Sequence, residues 1–423
     1  MSDLAAAIAY RRSPLAIRAR CETIFEAGRA GALRHFAVEL GALPAVVDRV
    51  IAVTRAAYPD LQIPVHGRIN HFRAGGIDRV AEFDARLDDL GPEDRARSWI
   101  DLVMVSVLLD AGAGDAWHYR EPGTGCALAR SEGLAVASLR AFEAGAFSSD
   151  PAAPLRADAA GLAGLDPERL AAALQHGPDN LLVGFDGRVE LVRALGAALA
   201  AAPALFVAGR PGGLLDHFDA AATALDPGGS PAASGIARGA AIDATALLRA
   251  LLDGLAPIWP GRIELGGTNL GDVWRHPAAG GSGASAGLVP FHKLSQWLAY
   301  SLFEPLERAG RAIAQPGALT GLPEYRNGGL FLDLGVIVPR RDDIRTQVHA
   351  PGDEVIVEWR ALTVALLDRV GEAVCQRLGK TPAELPLARV LEGGTWAAGR
   401  AVARERRPGG GPPLLIRSDG TVF

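Results

Sequence analysis

The sequence predicts a mainly helical protein, and three observations carry that expectation. Apolar residues recur at i, i+3, i+4 spacing through most of the 423 residues, the period of a helix that buries one face. Several of these stretches carry their own start and stop residues. Strand-like runs are few and do not alternate with the helical ones, so no doubly wound sheet is expected. Apolar types make up 49% of the chain and charged types 22%, enough to build a sizeable core without broad disorder.

In chain order, the helical spacing covers residues 13–28, 45–57, 76–89, 93–110, 131–145, 167–176, 186–201, 243–254, 291–309, 353–378 and 382–391. Asp166-Pro167 reads as N-cap followed by N1, and Thr381-Pro382-Ala383-Glu384 as a capping box. Pro290 opens the helix at 291–309 and Gly310 closes it, while Gly379 closes the long helix at 353–378. Residues 181–185, 203–208 and 330–338 are the strand candidates. Stretches 224–240 and 277–288, rich in Gly, Ala, Ser and Pro, read as loops. Arg407 to Pro413 is a third, leading to a tail, Leu414 to Phe423, expected to pack back on the body. No linker divides the chain clearly. The expectation is one large helical unit over 1–423, with an N-terminal lobe at 1–150 and a C-terminal lobe at 151–423 as a division whose boundary the sequence leaves open.

Composition excludes several functions. The net charge of −5 argues against a protein that grips phosphodiester backbones. No apolar run is long enough for a membrane span, and the N-terminus does not read as a secretory signal. Cys21, Cys126 and Cys375 are odd in number and far apart, which fits a reducing, cytoplasmic setting and no metal knuckle. Neither a cofactor nor a metal is expected, and the oligomeric state is open.

Of 43 basic residues only Lys293 and Lys380 are lysines. In so arginine-rich a chain, a retained lysine points to a need for a compact ammonium. Lys380 follows Gly379 at a helix end. Lys293 opens an apolar helix in Phe291-His292-Lys293-Leu294-Ser295-Gln296-Trp297 and is the stronger candidate. Leu322 to Asp333 is the densest chemistry. Glu324, Tyr325, Arg326 and Asn327 stand in succession beside Gly328-Gly329, flanked by apolar residues, with Asp333 at the end. A carboxylate desolvated there has a raised pKa and suits an acid, base or charge-stabilising role. Trp117 and Tyr119 follow the Gly-rich turn at Asp115, where aromatics stack on planar ligands or fill the core. Gly266 to His276 is a second polar loop. Gly283-Ala284-Ser285-Ala286-Gly287 matches G-x-S-x-G but lacks the strand-turn-helix setting of a nucleophile. Gly209-Arg210-Pro211-Gly212-Gly213 suits an anion but lacks the P-loop Lys.

The segments FHKLSQW, LPEYRNGGLFLDLGV, EWRALTVALLDRVG, LEGGTWAAGR and GGGPPLLIRSDGTVF resemble the uracil-catabolism family of fungi and bacteria, the fourth component of the URC pathway, over essentially the whole chain. That pathway implies a ribonucleotide of uracil whose ring is opened to a ribosylurea-type intermediate, from which urea is released. A glycosidic cleavage step is therefore implied. The order of motifs is also similar to that of the queuosine-nucleotide salvage glycosidases, whose all-helical architecture is related to DNA glycosylases. Their F-Y-K-R-A-Q helix corresponds to Phe291–Gln296, their F-A-D-Y-R to Leu322–Arg326 and their E-I-R-G helix to Glu358–Ala361. Their aromatic loop corresponds to Gly114–Tyr119, and their G-[IV]-x-x-[VL]-A helix to Gly76–Ala81, just after His71. Glu324 stands where those enzymes carry Asp.

The resemblance implies an N-ribosyl hydrolase acting on a small ribosyl or nucleotide-derived substrate, without nucleic acid or membrane as partner. Glu324 then stabilises an oxocarbenium-like transition state and Lys293 lies near it. Arg326 and Arg360 are anion or carboxylate partners, Trp117 packs on the urea or sugar, and His71 lies at the pocket mouth. Asp333 is the alternative acid. In one unbroken helix, two residues nine apart at about 100° each face opposite ways, so Asp333 requires the Gly pair to break it. An amidohydrolase of a ring-opened nucleotide and a non-catalytic nucleotide- or nucleic-acid-binding helical protein are the rival classes.

Overall fold

A computed structural model describes residues 3–110, 112–114, 116–225 and 241–417. Helices account for 59% of it, and its short strands pair only two by two, so the class is mainly α. The chain forms two compact units. One holds Met1–His66, Pro260–Trp297 and Gln315–Phe423; the other holds Gly67–Trp259 and Leu298–Ala314.

In the first unit the helix Glu354–Leu378 is the central element, buried on several sides along Val355–Leu367. It packs on the helices Pro14–Arg29 and Tyr325–Asp333, and the latter packs on Trp396–Arg406. Gly379, at φ 65°, closes the long helix, its N–H and that of Lys380 turning back on Gln376 and Cys375, as a C-terminal glycine does. Strand Phe36–Val38 pairs antiparallel with Ile337–Pro339, Phe36 facing Pro339. Val273–Arg275 pairs antiparallel with Leu288–Pro290. The tail does pack back as far as it is described. Leu414 is fully buried, and Leu415–Ile416 runs parallel to Val348–His349.

The second unit is built on the helices Pro92–Leu108, Arg130–Glu143, Phe185–Ala201 and Ala244–Gly254. Asp166 caps its helix through the Glu168 N–H. Buried ion clusters fasten the unit, two of them around Glu121 and Asp101. Glu121 receives Arg79 and Arg140. Asp101, fully buried, receives Arg210 Nη2 at 2.7 Å and the Gly212 N–H at 2.7 Å. The anion held by the 209–213 turn is thus the protein's own carboxylate.

Several local expectations fail. No strand forms at 181–185 or 203–208. Gly184, at φ 71°, starts the helix Phe185–Ala201, and 203–205 is a turn after that helix. Short apolar runs do not separate buried helix from strand. The run 330–338 splits, its first part ending the helix at Asp333 and only Ile337–Pro339 pairing as strand. At 382–391 the capping box forms reciprocally between Thr381 and Glu384, yet it leads into a turn. Helix resumes at Leu387–Val390, followed by a π-helical turn at Leu391–Thr395. A helix at Asp3–Arg11 lies outside the expected set. The loop expected at 224–240 lies outside the described residues beyond Leu225.

Candidate functional site

The helix Lys293–Arg308 begins two residues later than its apolar pattern, because His292 has a left-handed backbone at φ 48°. That left-handed position is held by a residue distant in sequence. His292 Nε2 lies 2.8 Å from the Arg11 carbonyl, and burial pushes its pKa down. The start of the helix is capped by a residue distant in sequence. The Asp272 carbonyl accepts the Phe291 N–H, and its Oδ2 accepts the Lys293 N–H at 3.0 Å. Arg360 clamps the same carboxylate with two bonds of 2.8 Å, and Trp274 Nε1 donates to it at 2.6 Å. Burial alone raises the Asp272 pKa; the Arg360 guanidinium and the N–H donors of Lys293 and Trp274 outweigh it and hold the group well below the usual carboxylate range. The Arg360 guanidinium also lies 4.1 Å over the Phe291 ring.

Glu324 reaches the same neighbourhood through Gln296. The amide of Gln296, fully buried, donates to the Phe291 carbonyl and to Thr320 Oγ1 and accepts the Thr320 N–H at 2.9 Å. These bonds tie the Lys293 helix to the segment entering the helix Tyr325–Asp333. Glu324 is the N-cap of that helix. Its two oxygens accept the backbone N–H groups of Arg326 at 2.7 Å and Asn327 at 2.5 Å. Burial raises its pKa, opposed by those two donors and by the positive charges of Lys293 and Arg326. The carboxyl therefore favours its neutral form more than an ordinary glutamate does, with the two backbone donors and the Lys293 ammonium pulling toward the charged form.

Around Glu324, Arg326 is buried, donates to the Gly410 carbonyl at 2.6 Å and lies 4.6 Å over the Tyr325 ring. Asn327, 1% exposed, donates to the Leu322 carbonyl, while its Oδ1 has no hydrogen-bond partner among the described residues. An unmet buried acceptor beside Glu324 is suited to a substrate hydroxyl. Gly328 and Gly329 do not break the helix. A Cβ on Gly328 would lie 2.7 Å from the Trp359 ring, so the glycine permits close packing, and Trp359 Nε1 donates to its carbonyl. Asp333 closes the same helix, paired with Arg407 by two bonds of 2.7 Å.

The remaining candidates belong to the second unit. Trp117 is fully buried, with Nε1 on the Leu174 carbonyl, and Gly133 leaves room for its ring. Tyr119 is buried in the strand His118–Arg120, and burial raises its phenol pKa. His71 Nδ1 lies 3.3 Å from Arg68 Nη1. Asp115 lies outside the described residues. Sequence reasoning did not single out Asp272 or Gln296. Asp272 stood in the polar loop 266–276 and Gln296 in the FHKLSQW motif, but nothing local showed that either would organise the start of the lysine helix.

Fold and site together define a mainly helical protein with a half-buried carboxylate at a helix start, near a lysine whose backbone N–H a clamped aspartate accepts. The chain belongs to the family described as "Protein of unknown function (DUF1688)", whose model matches residues 10–423. It is similar to the protein urg3 of Schizosaccharomyces pombe, 38% identical over 414 residues, 96% of each chain. It is likewise similar to uracil catabolism protein 4 of Lachancea kluyveri, 37% identical over 447 residues, 98% of this chain and 99% of the relative. The uracil-catabolism family is the one the motifs resemble. Among the described residues no helix is long and apolar enough to cross a membrane.

Proposed function

We propose that this protein is a hydrolase of uracil catabolism that cleaves the N-glycosidic bond of a ribosylurea-type intermediate, free or as its 5′-phosphate, releasing urea and the ribose. The name of the Lachancea kluyveri relative supports the pathway. The observation that carries the chemistry is the Glu324 carboxyl, desolvated, held by two backbone N–H groups and drawn toward its charged form by Lys293.

In this reading the bond from C1′ to the urea nitrogen breaks with its electron pair passing to nitrogen. Glu324 as carboxylate faces the positive charge that develops on C1′ and the ring oxygen. Water adds to C1′, one of its protons passing to Glu324 and from there, or through solvent, to the departing urea. The balance is one ribosylurea and one water to one ribose and one urea. The Lys293 ammonium keeps Glu324 ionised and meets a sugar hydroxyl or phosphate, and Asn327 Oδ1 accepts a hydroxyl. Arg360 acts through Asp272, which places Lys293.

The test is product analysis with ribosylurea and its 5′-phosphate, using wild-type protein and Glu324→Gln. Urea with a free reducing sugar is expected from wild type, and a loss of turnover with unchanged circular dichroism from the variant. Release of ammonia in place of urea would turn the reading toward an amidohydrolase. Full activity in Glu324→Gln would remove Glu324 from its role.

A further inference from the structure

We propose that His35, Glu354 and Glu358 form a binding site for a divalent first-row metal ion. One donor atom from each lies within 4.8 Å of the other two. Glu354 and Glu358 stand one turn apart on the helix Glu354–Leu378, so both carboxylates project from one face. His35 immediately precedes the strand Phe36–Val38.

Glu358 builds the site. It is fully buried, and its Oε1 accepts the backbone N–H groups of His35 at 3.1 Å and Phe36 at 2.8 Å. Those bonds pin the His35 backbone against the helix and determine where the imidazole points. Glu358 Oε2 lies 3.3 Å from His276 Nε2. His276 Nδ1 accepts the Ala278 N–H, so its proton is on Nε2 and it donates to Glu358. A donor on one side of a carboxylate orients it for a ligand on the other, the usual arrangement behind a metal-binding group.

His35 points to the ligand. It is only 8% exposed, yet among the described residues neither ring nitrogen makes a hydrogen bond. Its Nε2 lies 3.3 Å from Glu354 Oε1. Buried polar groups nearly always have partners, and a cation between the imidazole and the two carboxylates supplies one. Glu354, with a third of its side chain exposed, gives the ion a path from solvent. One imidazole and two carboxylates suit Zn²⁺ or Mn²⁺, with water completing the coordination. The expectation that no metal is bound came from local spacing. Only the two glutamates are neighbours in sequence, so the set was not visible there. The inference is independent of the proposed hydrolysis.

The rival is a plain His35–Glu354 ion pair. Calorimetric titration of chelator-treated, full-length protein with Zn²⁺, and separately with Mn²⁺, separates the two. One ion per chain is expected for at least one metal, with a raised thermal midpoint. His35→Gln and Glu354→Gln should each weaken binding at least tenfold. Because Glu354 is partly exposed, Glu354→Gln should keep the wild-type circular dichroism and reports on binding even if His35→Gln misfolds. No one-to-one binding of either ion, or equal binding by Glu354→Gln, would overturn the site.

Discussion

At the residue scale, Glu324 and Lys293 make opposite demands that an experiment can separate. Burial raises the Glu324 pKa and Lys293 pulls it back. If the carboxylate is the working form, kcat/KM rises with pH through that raised pKa, at a midpoint above the 4.5 of an ordinary glutamate. Lys293→Gln removes the opposing charge, so the midpoint should move to higher pH, read from a pH–rate profile in both proteins. An unmoved midpoint would mean that the two groups do not communicate. Glu324→Gln should lower kcat by about 10²–10⁴-fold. Both residues stand out in the sequence as candidates. Lys293 is one of two lysines in an arginine-rich chain, and Glu324 heads a dense polar segment in apolar surroundings. Their approach was not legible, because it runs through Gln296 and Thr320, whose pairing depends on the fold.

At the element scale, the helix Tyr325–Asp333 shows how the site is placed. The sequence makes Gly328-Gly329 look like a break. The structure uses Gly328 to bring the helix against Trp359. Gly328→Ala should therefore destabilise the protein by about 1–3 kcal/mol through overpacking, measured by denaturant titration; a neutral substitution would show that the contact is loose. Asp272 is the second such point, joining the start of the Lys293 helix to Arg360. Asp272→Asn removes the charge facing a buried guanidinium, and breaking such a pair costs about 3–5 kcal/mol. Because its pKa is depressed when folded, the pair's contribution is present above the unfolded value of 3.8 and is lost only as pH falls through the lower, folded one. Stability of the variant should accordingly vary less with pH below 4 than that of wild type. Long helices such as Glu354–Leu378 were legible from period and closing glycine. The strand expectations at 181–185 and 203–208 failed, since short apolar runs carry no period to read.

At the scale of the whole molecule, the sequence allowed one unit, or two lobes divided near residue 150. The observed units are assembled from separated stretches of chain, a partition that no linker announces. Each has its own buried ion cluster. In the second unit, Arg79 and Arg140 overcome the effect of burial and hold Glu121 at about 2. Its contribution to stability is present above the unfolded value of 4.5 and is lost between 4.5 and about 2. Glu121→Gln should flatten acid unfolding in that window when followed by fluorescence; an unchanged profile would put acid sensitivity elsewhere. Product analysis with ribosylurea and its 5′-phosphate is the decisive test of the proposed hydrolysis. Urea and a free reducing sugar, produced by wild type and not by Glu324→Gln, is the predicted result. Both substrates left intact by well-folded wild-type protein would contradict it.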